Sequence, residues 1–251
     1  MLKRLFVLLI SLSLFSCMPV STEPHDSPSP IVIQDADFTV GSPILVRIFK
    51  EEKMLEVWML KGDQYARYKA FPICFHSGEL GPKLREGDRQ SPEGFYQVFP
   101  ASLNPNSRYH LSFNLGYPNA YDRSHGRTGG YLMVHGGCVS RGCYAMTDER
   151  IEEIYALADA ALQNGQPFFQ VHSFPFRMTE DNMRRHQDSP WYGFWQNLKE
   201  GYDLFESYKQ PPIVSVQDKQ YAFSAPIMPA PAPAIAWSPA PQKEVRSNAS
   251  N

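Results

Sequence analysis

The run His135-Gly-Gly-Cys-Val-Ser-Arg-Gly-Cys143 sets an imidazole and a thiol at the two ends of a short, glycine-rich segment. Only the thiolate attacks a carbonyl, and a nearby imidazole can take the thiol proton and later return one to a leaving amine. The apolar stretch Tyr131-Leu-Met-Val-His135 reads as a buried strand ending at the histidine. The stretch after Cys143 turns helical, and a thiol beside a helix N-terminus has its anion favoured by the free N–H groups there. A lowered pKa is therefore expected for Cys143. Gly142 leaves the backbone bare beside the sulfur, so the N–H groups of Gly142 and Cys143 are expected to meet a developing oxyanion. Ser140 is placed to fix the loop or the imidazole. Together these residue types fit attack of a thiolate on a carbonyl.

The same side chains admit other chemistry. His135, Cys138 and Cys143 with His172 have zinc-ligating atoms, although the spacing fits no common zinc module and paired CxxC halves are missing. Cys138 and Cys143 lie close enough in sequence to close a small disulfide loop, or the cysteines are buried core residues. The chain has four cysteines. If Cys17 is consumed near the N-terminus, three remain, and an odd number in an oxidising compartment leaves a free thiol or an intermolecular bridge.

The elements that must hold this segment are mainly strands. Ile44–Phe49, Leu55–Leu60, Tyr65–Phe75 and Phe95–Phe99 are β-branched or aromatic runs separated by polar turns, with a loop expected over Gly78–Pro92. Residues 100–130 carry many turn formers and read as a long loop or lid. Asp148–Gln163 is the clearest helix: Ile151, Ile154, Tyr155, Ala158, Ala161 and Leu162 share one face. Thr147 is the expected cap, and Asn164-Gly165 the stop. Phe168–His172 reads as a further strand, and Glu180–His186 and Trp191–Tyr208 as two short helices.

Both ends differ from this middle. Lys3-Arg4 followed by the apolar run Leu5–Leu14 has the form of an export signal over residues 1–16, too short for a comfortable membrane span. Ser16-Cys17 resembles a lipobox, which predicts a lipidated Cys17 and a Pro/Ser-rich linker over 17–40. Met18, where an aspartate would stand in the other sorting class, points to the outer membrane, with the protein facing the periplasm. Residues 224–251 are Pro/Ala-rich, a composition expected to stay disordered. With 251 residues and a net charge of −2, the chain suits one cored domain with extensions, and nucleic acid is not an expected partner.

A strand ending in His-Gly, then Ser-x-Gly-Cys before a helix, resembles the L,D-transpeptidase catalytic domain, or YkuD domain. Asp122–Gly129, His135–Cys138, Ser140–Asp148 and Phe174–Met178 resemble the YafK-like branch of that family. The resemblance implies a mainly β fold with some α, a β-sandwich-like catalytic domain over 41–176, with one helix after the cysteine and a helical extension over 177–223. It implies that Cys143 attacks the diaminopimelate carbonyl of a peptidoglycan stem tetrapeptide and that His135 moves the proton. Ser140 and Gly142 then match supporting motif positions, and neither metal nor cofactor is implied. Ala145 stands where the family carries an arginine, so recognition of the substrate carboxylate falls to Arg123, Arg127 or Arg141. Relatives in this branch also cleave, releasing outer-membrane lipoprotein, so amidase or L,D-endopeptidase action with the same cysteine is the alternative. A non-catalytic peptidoglycan-binding lipoprotein is the rival from another class.

Overall fold

The structure is a computed structural model that describes residues 38–226. The expected signal, Cys17, almost all of the linker and nearly the whole Pro/Ala-rich tail lie outside that range. Among the described residues no helix is long and apolar enough to cross a membrane.

Two five-stranded sheets carry the fold. The first is built from β1 (Ile44–Phe49), β2 (Met54–Lys61), β3 (Gln64–Pro72), β5 (Gly94–Val98) and β10 (Phe169–Phe174), in the order β3-β2-β1-β10-β5. The second is built from β4 (Phe75–His76), β6 (Leu103–Ser107), β7 (His110–Asn114), β8 (Met133–His135) and β9 (Tyr144–Ala145), in the order β4-β9-β8-β7-β6. Each sheet holds one parallel pair, β1 with β10 and β8 with β9, and is otherwise antiparallel. The mainly β, sandwich-like expectation matches this architecture.

Why β1 reads as an unbroken apolar run follows from its two covered faces. Ile44, Val46 and Ile48 join Phe113, Val134, Tyr144 and the apolar face of α2 (Asp148–Gln163) in the main core. On the other face Phe49 joins Phe95, Phe174, Phe176, Trp195 and Tyr202 in a second core. That second core is covered by α3 (Glu180–Arg185) and α4 (Tyr192–Tyr208). Arg47 is buried there with its guanidinium over the rings of Tyr202 and Phe205, and it pairs with Glu206 at 2.6 Å. The segment Phe174–Met178 therefore earns its pattern by packing: Phe174, Phe176 and Met178 are fully buried, while Arg177 pairs with Glu56.

Two expectations need correction. The stretch 100–130 is not one loop: it holds a 3-10 turn at Pro100–Ser102, the β6–β7 hairpin and the short α1 (Ala120–Ser124), with a capping box at Asn119 and Asp122. Pro105 sits in β6, the edge strand of its sheet, where a missing N–H is tolerated. The extension after 176 is not purely helical either. It ends in a hairpin of β11 (Ile213–Gln217) and β12 (Gln220–Ser224), turning through Asp218 and Lys219, both at positive φ. Gly201 of α4 leaves the space that the rings of Phe95 and Phe223 fill, so hairpin, helix and β5 lock together.

Candidate active site

Sheet register brings the two reactive side chains to one surface. His135 pairs with Ala145 across the parallel β8–β9 ladder. Residues two apart on a strand share a face, so Cys143, immediately before β9, projects on the same side as His135. His135 and Cys143 are therefore diagonal neighbours on one face of the β8–β9 pair. The opposite face of these strands and of the neighbouring β7 presents Val134, Tyr144 and Phe113 to the main core.

His135 is almost wholly buried, 3% exposed, beneath the ring of Tyr109, which stacks on it at 4.7 Å. Its Nδ1 hydrogen bond goes to the Gly136 carbonyl at 2.6 Å. A carbonyl only accepts, so Nδ1 carries the proton and Nε2 keeps its lone pair. Burial lowers the imidazole pKa, only partly offset by the Gly136 carbonyl, so the neutral ring is favoured. The Gly136 carbonyl thus fixes the orientation of the His135 ring. It was missed in the sequence because a backbone oxygen leaves no residue signature.

Cys143 is the one free cysteine among the described residues. Its sulfur accepts the Met133 N–H at 3.4 Å, and its S–H points to the Tyr131 carbonyl at 3.8 Å. The expected low pKa is corrected here: burial pushes the thiol up, against smaller lowering effects from the Met133 N–H and the Lys83 ammonium. The helix dipole does not reach it, because β9, Met146 and Thr147 separate Cys143 from the start of α2 at Asp148. Burial thus disfavours the charged form of each group, thiolate and imidazolium alike.

Three hydroxyls grip the backbone around that thiol. Ser140 Oγ donates to the Cys143 carbonyl at 2.7 Å, and Ser91 Oγ donates to the same oxygen at 3.0 Å. Ser140 therefore fixes the loop, the first of its two expected roles. Ser77 Oγ accepts the Gly142 N–H at 2.6 Å, so this N–H is engaged and is not the open oxyanion donor that the sequence suggested. Gly142 itself adopts φ +114°, a conformation open to glycine, and a Cβ there would press Leu132 at 3.4 Å.

Ser77 and Ser91 bound a loop organised by a buried cation. Lys50 Nζ donates to the carbonyls of Glu79 (2.8 Å), Gly81 (2.9 Å) and Ser91 (3.2 Å) and to Glu93 Oε1 (2.9 Å). Glu93 also accepts the Gly81 N–H at 2.7 Å and the Trp195 indole N–H at 2.9 Å. Desolvation lowers the Lys50 pKa, with Glu93 opposing it. Farther along the loop Lys83 is buried, donating to the Arg85 carbonyl and the Asp88 carboxylate. Neither lysine stood out in the sequence, since a buried lysine looks like a surface one until its partners are known.

The other two cysteines among the described residues form a bridge, Cys74 to Cys138, with Cα atoms 5.3 Å apart. It ties the His135–Cys143 loop to the strand flanking β9, and it replaces the Cys138–Cys143 pairing weighed from sequence. The zinc alternative loses Cys138 as a thiolate ligand for the same reason, and His172 Nε2 pairs with Gln170 Oε1 at 2.9 Å on the first sheet. Among the described residues no group of three or more His, Cys, Asp or Glu side chains is arranged to hold a metal ion.

The three candidate arginines separate. Arg127 is corrected to a structural role: it is buried, pairs with Asp122 at 2.8 Å and lies over the Tyr121 and Phe194 rings. Arg123 is exposed and donates to the Pro118 carbonyl, at the rim of a cleft between β5 and β11. Arg141 is exposed two residues before Cys143. Of the three, Arg141 is exposed and the nearest to the thiol in sequence.

A free cysteine and a histidine thus stand at the two ends of a short glycine-rich loop that joins adjacent parallel strands of a two-sheet fold. The chain belongs to the L,D-transpeptidase catalytic domain family, YkuD, whose profile matches residues 43–167. It is 46% identical over 226 residues to YafK of Escherichia coli K12, a protein named as a candidate L,D-transpeptidase, spanning 89% of this chain and 92% of that one. Among solved structures it is similar to Pgp2 of Campylobacter jejuni, a helical cell shape determining protein, at 19% identity, TM-score 0.44, and 74% and 78% of the two chains. It is also similar to Bd1075 of Bdellovibrio bacteriovorus at 24% identity, TM-score 0.37, and 66% and 61% coverage.

Proposed function

We propose that this chain is an exported cysteine acyltransferase acting on diaminopimelate-containing peptidoglycan stem peptides, with Cys143 as nucleophile and His135 as base. The observation that carries it is the pairing on one sheet face of the free thiol with an imidazole whose Nδ1 proton is held by Gly136. His135 Nε2 takes the thiol proton as Sγ adds to the carbonyl. The tetrahedral intermediate collapses to a thioester as the C–N bond breaks, and the imidazolium protonates the departing D-alanine amine. An amine acceptor then gives transfer, whereas water gives hydrolysis.

Arg141 is the proposed contact for a substrate carboxylate, with Arg123 as the more distant candidate. The proposed setting is the periplasm, with Cys17 acylated at the outer membrane and outer-membrane lipoprotein as a further partner. A disulfide between Cys74 and Cys138 fits an oxidising compartment. The test is to incubate purified protein with stem tetrapeptide muropeptides and read intact mass. A Cys143 adduct matching the acyl tripeptide, absent in Cys143→Ala, supports the reading. Products bearing a new amide separate transfer from cleavage, and the absence of any adduct or product rejects it.

A further inference from the structure

We infer that the Ser77 hydroxyl is the side-chain donor to the oxyanion formed at Cys143, a role that rests on the proposed thioester chemistry. Three observations converge on it. First, the β4–β9 ladder pairs Phe75 with Ala145 and His76 with Tyr144, so the next residues in register are Ser77 and Cys143. Residues opposite one another on antiparallel strands project to the same face, which is also the face of His135.

Second, Ser77 Oγ accepts the Gly142 N–H at 2.6 Å, so the hydroxyl sits against the Arg141–Gly142 peptide, one before the nucleophile's own. That bond removes the Gly142 N–H from the substrate and hands its polarity on: a hydroxyl that accepts a short hydrogen bond becomes a stronger donor. No acceptor among the described residues takes the Ser77 O–H, which leaves its proton for an incoming oxygen.

Third, the hydroxyl is held in place. The Ser77 N–H donates to Ser91 Oγ at 3.3 Å, and the Ser91 N–H donates to the Ser77 carbonyl at 3.0 Å. Ser91 in turn donates to the Cys143 carbonyl, and its own carbonyl is bound by Lys50. Donor and nucleophile therefore move as one unit. As the Sγ–C bond forms, the carbonyl π pair moves to oxygen and Ser77 O–H hydrogen-bonds to it. As the pair returns, the leaving-group bond breaks and that hydrogen bond relaxes.

Two reactions of the same sulfur test this. Acylation by p-nitrophenyl acetate passes through an oxyanion; alkylation by iodoacetamide is a displacement at saturated carbon and forms none. Ser77→Ala is expected to slow acylation on the order of 10²-fold, the usual effect of losing one oxyanion donor, with alkylation changed less than threefold. Ser77→Thr, which keeps the hydroxyl, is expected to recover most of the acylation rate. Acylation unchanged in Ser77→Ala, or both reactions slowed equally, overturns the assignment and makes Ser77 a loop support only. Wild-type protein that alkylates but never acylates overturns it as well. Because the ester needs no stem-peptide recognition, normal ester acylation without activity on muropeptides would reject the proposed substrate while leaving the Ser77 role standing.

Discussion

Replacing Lys50 with methionine removes the charge at the centre of the loop that supplies Ser77 and Ser91. Methionine matches the lysine stem in length, so packing is nearly kept and the loss falls on the ammonium. Lys50 and Glu93 both have fully buried side chains, and four hydrogen bonds leave with the ammonium. Breaking such a pair from one side costs about 3–5 kcal/mol, because an uncompensated carboxylate stays behind. For a domain of this size each kcal/mol moves the thermal midpoint by roughly 2–4 °C, so Lys50→Met is expected to melt roughly 6–20 °C lower. Lys50→Met combined with Glu93→Leu removes the stranded charge and is expected to regain at least about half of that loss. The remainder reflects the Ser91 carbonyl and the Gly81 and Trp195 N–H groups that lose their acceptor, while the Glu79 and Gly81 carbonyls keep the Gln90 amide. Calorimetry on the three variants reads the cycle. A Lys50→Met midpoint within 2 °C of wild type, or a double variant worse than either single one, refutes the view that this pair organises the loop.

Other predictions concern the reactive pair and its surroundings. Because burial raises the Cys143 pKa and lowers that of His135, iodoacetamide alkylation is expected to climb with pH past the ordinary thiol range, with no plateau near neutrality. A plateau below pH 7 would reveal a resting thiolate–imidazolium pair instead. Cys143→Ser is expected to lose muropeptide turnover with the melting profile kept, and His135→Ala to lose roughly 10²–10⁴-fold, both read by product chromatography. The Cys74–Cys138 bridge spans 64 residues, so Cys138→Ser is expected to lower stability by roughly 4 kcal/mol on the chain-entropy view, seen in denaturant unfolding. Arg127→Ala is expected to lower the melting midpoint, whereas Arg141→Ala is expected to raise KM several-fold with the fold unchanged; reversed results would exchange their roles.

Much of this arrangement was legible in the chain because it is local. The run Ile44–Phe49 has no polar partner to confuse it, apart from Arg47, and α2 carries its own apolar stripe and its Asn164-Gly165 stop. His135 and Cys143 declared themselves through type and glycine context. What stayed hidden is made by contacts distant in sequence. Ser77 and Cys143 are far apart along the chain, and the bridge from Cys74 to Cys138 has no spacing rule to announce it. The thiol pKa was misread because two residues of β9 and a short link intervene before α2, a gap smaller than the error of any helix boundary drawn from pattern. Arg127 was misread because nothing in its neighbours revealed that Asp122 and two rings enclose it. The β11–β12 hairpin escaped because its turn is Asp-Lys, without the glycine that usually marks so tight a reversal.

Trp195 of α4 reaches Glu93, and the Trp191 indole occupies the space where a side chain at Gly81 would stand. Both tryptophans lie well past residue 167, where the family match ends. The recognisable segment is consequently shorter than the cooperative unit. A fragment trimmed to the match would bare the underside of the first sheet and leave the loop bearing Ser77 and Ser91 without its backstop. Comparisons of reactivity among relatives should therefore keep the C-terminal helices and hairpin attached, since the loop that hydrogen-bonds around the cysteine packs against them.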